Sequence, residues 1–257
     1  ESSGLRMERR LLGAGRDAEE AEDLVGARLG AYRVVERIGL GGMGAVYRAE
    51  RADDTYHQEV AIKVARRGHR AAELIERFRM EREILARLVH PNVAHILDGG
   101  VTADGRPYLA MRYVQGRPIT EYCDELRLTV RQRLELFRTV CDAVQFAHGK
   151  LVVHRDLKPS NILVTDEGRV MLLDFGIAKL LEPDDLGAQE PPTRSDQRVL
   201  TPEFAAPEQL RGEVVGTAAD VYGLGALLYR LLVGHPPHRI SGRTEPELVR
   251  AICEEDP

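Results

Sequence analysis

From Tyr32 to about Tyr113 the apolar residues come in short alternating or continuous runs with turns between them: YRVVERIG, GAVYRAE, EVAIKVA, VAHILDGGV and PYLAMRYV. Side chains on a strand alternate between faces, so runs of this length predict an antiparallel sheet. One helical interruption, Ala71 to Val89, sits among them. Beyond Gly116 the period lengthens. In TVRQRLELFRTVCDAVQFAHG the residues Leu134, Phe137, Val140, Cys141 and Val144 fall on one helix face, and most of the second half reads the same way. A sheet-rich half followed by a helix-rich half is an α+β arrangement of two lobes, and their junction near RYVQGRP is a natural ligand cleft. The expected organisation is an N-terminal extension over 1–30, a sheet lobe with one main helix over 31–115, and a mostly helical lobe over 116–257.

Composition narrows the class. A net charge of −5 offers no basic field for nucleic acid or an anionic membrane. The apolar run VYGLGALLYRLLVG contains Arg230 and is too short for a membrane span, so it is expected to be a buried helix. Three widely separated cysteines argue against a disulfide framework and for a reducing, cytoplasmic compartment. Of the 36 basic residues only Lys63, Lys150, Lys158 and Lys179 are lysine. Where arginine serves every generic positive charge, a surviving lysine marks a place that needs a compact ammonium.

Gly39, Gly41 and Gly44 in IGLGGMGAVYRA have the spacing G-x-G-x-x-G, which holds the phosphates of dinucleotides in one fold and covers those of ATP in another. Glu59 even sits near the offset of a ribose-binding acid. The β-prone residues around the glycines favour the tip of a hairpin over the start of a helix, but the glycines alone leave both readings open. Lys63 decides more. It lies in EVAIKV among Ala61, Ile62 and Val64, where an ammonium needs an anionic partner or costs several kcal/mol. Leu74, Phe78, Glu81, Leu85 and Leu88 form one helical stripe whose only charge is Glu81, the expected partner of Lys63.

The most informative segment is VVHRDLKPSNILVTDEGRVMLLDFG. Two short strands, ILV and VMLL, are joined by the turn-forming TDEG, and folding that hairpin brings Asn161 and Asp174 side by side at its open end. Asp156 approaches from the preceding loop. An amide oxygen with one carboxylate suits Mg²⁺, which leaves Asp156 to orient and deprotonate a hydroxyl. Lys158 can then offset negative charge on a transferring phosphoryl group.

Together, G-x-G-x-x-G-x-V (Gly39 to Val46), VAIK (Lys63), HRDLKPSN (His154 to Asn161), DFG (Asp174 to Gly176) and APE (Ala206 to Glu208) resemble, in order, the bacterial eukaryotic-like Ser/Thr protein kinases. The resemblance runs from about Tyr32 to the end. It implies the bilobal protein-kinase fold, ATP and Mg²⁺ as cofactors, and protein substrates with Ser or Thr acceptors. It assigns the ATP phosphates to Gly39, Gly41, Gly44 and Lys63, and metal ions to Asn161 and Asp174. Adenine is expected among Ile38, Val46, Ala61, Leu163 and Met111, with hinge hydrogen bonds from Tyr113 and Val114. Thr201 matches the threonine beside Asp156 and Lys158. Thr193 and Ser195 match paired activation-loop phosphosites, whose phosphate Arg155 would receive.

Some features depart from the family pattern. Leu200 stands in place of a glycine, Phe204 in place of a tyrosine and Arg112 in place of the hinge glutamate. The chain stops at Pro257, so the helical lobe is expected to be incomplete, and a continuation into a membrane span or repeat region is left open, as is a dimer. The alternative from another class is an ATP-binding pseudokinase or scaffold.

Overall fold

The structure is a computed structural model, and it describes residues 23–41, 44–53, 57–65, 88–175, 202–238 and 244–255. Strands β1 (Arg28–Leu29), β2 (Tyr32–Gly41), β3 (Gly44–Arg51), β4 (Glu59–Ala65), β5 (Ile96–Val101) and β6 (Pro107–Arg112) form one antiparallel sheet in the order β1-β2-β3-β4-β6-β5. All five predicted runs are therefore strands. The predicted helix over 71–89 lies largely outside the described residues.

Strand alternation gives this sheet two different faces. Val60, Ile62 and Val64 of β4 point into a core with Tyr32, Val34, Tyr47, Tyr108 and Ala110. Ala61, on the opposite face, joins a second core that runs from the sheet into the helical lobe through Met111, Val144, Ile162, Leu172 and Leu227. Lys63 shares the parity of Ala61, so the same alternation aims its ammonium at the cleft. On the face that carries Ala61, Arg48 ties three strands together, reaching Glu36 on β2 at 2.6 Å and Glu59 on β4 at 2.7 Å.

The second lobe begins with β7 (Arg117–Pro118), which pairs with β8 (Ile162–Val164) and through it with β9 (Val170–Leu172) in a small sheet. Helices α1 (Ile119–Glu125), α2 (Val130–His148), α3 (Pro207–Arg211), α4 (Thr217–Val233) and α5 (Glu245–Glu254) complete the described part. Helix α2 starts where Thr129 accepts the Gln132 N–H and Gln132 returns a bond to the Thr129 N–H, satisfying otherwise orphaned donors. Its buried face differs from the predicted stripe. Val140, Ala143, Val144 and Ala147 are buried with Leu136 and Phe137 packed beside them, but Leu134 is exposed because it lies to one side of the arc that faces the core. The apolar run expected to be a buried helix is α4, whose buried side carries Ala219, Asp220, Gly223, Ala226, Leu227 and Leu231. Cys123, Cys141 and Cys253 are free thiols. No helix among the described residues is long and apolar enough to cross a membrane.

Segment 92–94 stitches the lobes together. Asn92 donates from Nδ2 to the Val170 carbonyl at 2.8 Å and accepts the Leu172 N–H at its own carbonyl. The Ala94 N–H then bonds the Leu172 carbonyl, and Val93 forms a parallel bridge to Leu172.

At the β2–β3 tip Gly44 has φ +140°, and a Cβ there would lie 2.0 Å from the Val64 carbonyl oxygen. Gly39 has no such restriction, since its added Cβ would sit 3.6 Å from Val46. Gly44→Ala is therefore expected to cost about 2 kcal/mol, a fall of roughly 4–8 °C in Tm, while Gly39→Ala stays within about 1 kcal/mol of the parent. Thermal denaturation of the two variants checks this.

Candidate active site

The loop from Val152 to Asn161 follows α2 and is pinned from below by one carboxylate. Asp220, on α4 and 1% exposed, accepts the His154 N–H at 2.7 Å and the Arg155 N–H at 2.8 Å. His148, from the last turn of α2, places Nε2 2.7 Å from the same Oδ2 atom that His154 uses. Gly223, one turn further along α4, lets Leu157 pack closely: a Cβ at Gly223 would stand 3.1 Å from that of Leu157. A buried anion is tolerable only when its lone pairs are filled this way.

His154 is fully buried and holds the loop to the hairpin. Its Nε2 bonds the Leu173 carbonyl at 2.9 Å, and its Nδ1 accepts the Asp156 N–H at 3.3 Å. This pattern requires a neutral ring protonated on Nε2. The Leu173 N–H bonds the Asn161 carbonyl at 2.9 Å, so the residue before Asp174 is gripped on both sides. Asp174 itself has φ +58°, and Phe175, 4% exposed, packs on the His154 ring with centroids 4.6 Å apart. Those constraints hold an unfavourable backbone in place.

Two ion pairs result. Lys63 Nζ lies 2.8 Å from Asp174 Oδ2, joining β4 to the end of the hairpin across the cleft. Lys158 Nζ lies 2.8 Å from Asp156 Oδ2. Asn161 Nδ2 donates to both the main-chain and the side-chain oxygen of Asp156, at 2.8 and 2.9 Å. With those hydrogens committed, the amide oxygen is what Asn161 has to offer a cation.

The structure thus brings together Lys63, Asp156, Lys158, Asn161 and Asp174, and it pairs Lys63 with Asp174. Glu81, the partner expected from sequence, lies outside the described residues, as do Thr193, Ser195 and Thr201. The glycine segment is a hairpin in which Gly39 pairs with Val46 and Gly41 with Gly44, which excludes the helix start of a dinucleotide turn. Val46 in turn pairs with Lys63, and Ala61 with Met111. Val46 and Tyr113 pack against the core that contains Ala61 and Met111. Val114 follows Tyr113 after the end of β6, Leu163 is half-buried on β8 opposite Met171, and Ile38 is exposed on β2. Behind Met111 a small cavity is lined by Leu88, Val93, Ala94, Ile96, Asp174 and Phe175.

Sequence reasoning missed Asn92, His148, Gln209 and Asp220 as parts of the site. A lone acid inside the apolar run AADVYGLGALL was the available signal for Asp220.

A cleft between a glycine-tipped sheet and a helical lobe, with lysine, two acids and an amide converging in it, defines a class of proteins that act on nucleotide phosphates. The family described as Protein kinase domain matches residues 32–254, and the chain belongs to it. The chain is 41% identical over 230 residues to the serine/threonine-protein kinase Pkn1 of Myxococcus xanthus, covering 87% of this chain and 32% of that protein. It is 38% identical to PknA of Mycobacterium tuberculosis, covering 81% of this chain and 48% of the relative. The crystal structure of the Mycobacterium tuberculosis PknI kinase domain superposes with a TM-score of 0.62 at 30% identity, covering 89% of this chain and 86% of that one. The chain therefore spans about a third of the length of the first of these relatives and just under half of the second. Members of the family use ATP and a divalent metal.

Two outcomes follow from the Asp220 and His154 geometry. Asp220→Asn sets an amide NH₂ against backbone N–H groups and is expected to cost about 2–4 kcal/mol, readable by urea denaturation. Burial holds the His154 imidazole below its ordinary value of 6.5, with Asp220, Asp156 and Asp174 opposing in part. A lowered folded-state pKa means the contribution is complete above about 6.5 and is lost as pH falls below it toward the folded value. Tm should accordingly fall as the pH drops from about 7 to 5, and His154→Gln should flatten that slope.

Proposed function

We propose that the chain transfers the γ-phosphoryl group of ATP to Ser or Thr hydroxyls of proteins, with Mg²⁺ as the metal. The observation that carries this reading is the convergence of Asp156, Lys158, Asn161, Asp174 and Lys63 at the lobe junction. The named kinases among its relatives give it independent support.

The residues present fit the cofactors. Asp174 and the Asn161 amide supply hard oxygen ligands, and among the described residues no group of three or more His, Cys, Asp or Glu forms a protein-only metal cage. That is the kind of site Mg²⁺ takes when phosphate and water complete its shell, and the bound ion would neutralise phosphate charge. Lys63, steadied by Glu81, would hold the α and β phosphates together with the amides of Gly39, Gly41 and Gly44. Ile38, Val46, Ala61, Met111 and Leu163 would enclose the adenine, with Tyr113 and Val114 supplying hinge bonds.

Asp156 orients the acceptor hydroxyl and takes its proton as the new oxygen–phosphorus bond forms and the bond from the γ-phosphorus to the leaving ADP breaks. Lys158, held against Asp156, balances the negative charge that develops on the transferring group. Thr201 belongs to the substrate platform. The residue ranges 31–115 and 116–257 correspond to the two lobes, and 1–30 to an extension. Every residue of the motif set is present in the sequence, which favours catalysis over a scaffold that only binds nucleotide.

Asp156→Asn should lower protein phosphorylation about 10²–10⁴-fold with ATP binding retained, and Lys63→Met should abolish it, measured by phosphate transfer from labelled ATP to a protein acceptor. Parent activity equal to that of both variants sinks the reading. Autophosphorylation at Thr193 and Ser195 belongs to the same proposal. Intact mass after incubation with ATP and Mg²⁺ should show added phosphate that maps between Asp174 and Glu208.

A further inference from the structure

Gln209 bridges two parts of the second lobe that sequence keeps far apart. Its Oε1 accepts the Ala206 N–H at 3.0 Å, and its Nε2 donates to the Arg155 carbonyl at 2.7 Å. The Arg155 carbonyl belongs to the peptide that carries Asp156. The other edge of that peptide, the Asp156 N–H, rests on His154 Nδ1 through a long 3.3 Å bond. The short bond to Gln209 is thus the stronger of the two restraints on the peptide plane.

That plane needs restraint. Arg155 has φ +67°, a region unfavourable to a residue with a Cβ, which persists only where neighbours over-determine it. Asp220 fixes the N–H on one side of Arg155 at 2.8 Å. Gln209 fixes the carbonyl on the other. Rotation of the Arg155–Asp156 peptide would carry the Asp156 carboxylate away from Lys158 and Asn161, both of which it now contacts.

We propose that Gln209 is a positioning residue for Asp156, coupling the segment Pro202–Ala206, which leads into α3, to the orientation of the proton-accepting carboxylate. This rests on the phosphotransfer reading given above. A simpler role uses the same atoms: Gln209 caps the start of α3 through Ala206 and does nothing for Asp156. The two roles use opposite ends of one amide and can be separated.

Gln209→Glu keeps an acceptor for the Ala206 N–H and loses the donor to Arg155. Gln209→Met, of similar length, loses both. If Gln209 positions Asp156, both variants lower kcat for a protein substrate about tenfold, while the KM for ATP stays within about twofold and nucleotide binding by calorimetry is unchanged. If it only caps the helix, Gln209→Glu keeps parental kcat and only Gln209→Met loses Tm, and the inference is overturned. Equal kcat in all three proteins overturns it too. Absence of phosphotransfer in the parent chain is a different result: it overturns the phosphotransfer reading first and this inference with it.

Discussion

A single buried carboxylate organises the second lobe. Asp220 is the one acid of α4 and accepts two consecutive backbone N–H groups of the loop that carries Asp156, with His148 on one of the same oxygens. Removing a carboxylate from water is expensive, so the fold that contains it must fill its lone pairs. The loop is what fills them. Through His154 the restraint passes to Leu173, and from Leu173 to the backbone of Asp174. Residues far apart in sequence are placed by one chain of hydrogen bonds that starts at a helix and ends at a candidate metal ligand.

Charge in the cleft is divided into two pairs, Lys63 with Asp174 and Lys158 with Asp156. Both ammonium groups belong to the four lysines of a chain that otherwise uses arginine. A flexible point charge suits a site where one anion must be exchanged for another, whereas the planar fork of arginine would commit it to one geometry. The parity of β4 does the rest, sending Lys63 and Ala61 to the cleft and Val60, Ile62 and Val64 to the core behind it.

Much of this is legible in the amino-acid sequence. The strands can be read because each has one face in a core, which writes a period of two into the residues. The hairpin of β8 and β9 can be read because TDEG is a turn by composition. The candidate site can be read where its side chains cluster in one segment, as in HRDLKPSN. What escapes such reading depends on contacts between a side chain and a distant main-chain atom. Asn92 bonds the backbone of β9, Gln209 bonds the Arg155 carbonyl, and neither leaves a periodic trace. Leu134 fails for another reason: helical spacing identifies a stripe but not its exact rotation, and the arc that faces the core runs through Leu136, Val140 and Ala147 instead.

The stitch at 92–94 limits how the two halves can move. Chain continuity at 112–117 is one attachment, and the bonds from Asn92 and Ala94 to β9 are a second. The core shared by the halves and the Lys63–Asp174 pair across the cleft are further links. Sliding of one half past the other would break the parallel bridge at Leu172 and the register of 92–94 on β9. The back wall of the cleft is thereby keyed to the floor beneath it, so that a molecule entering from the open edge meets two surfaces already in register.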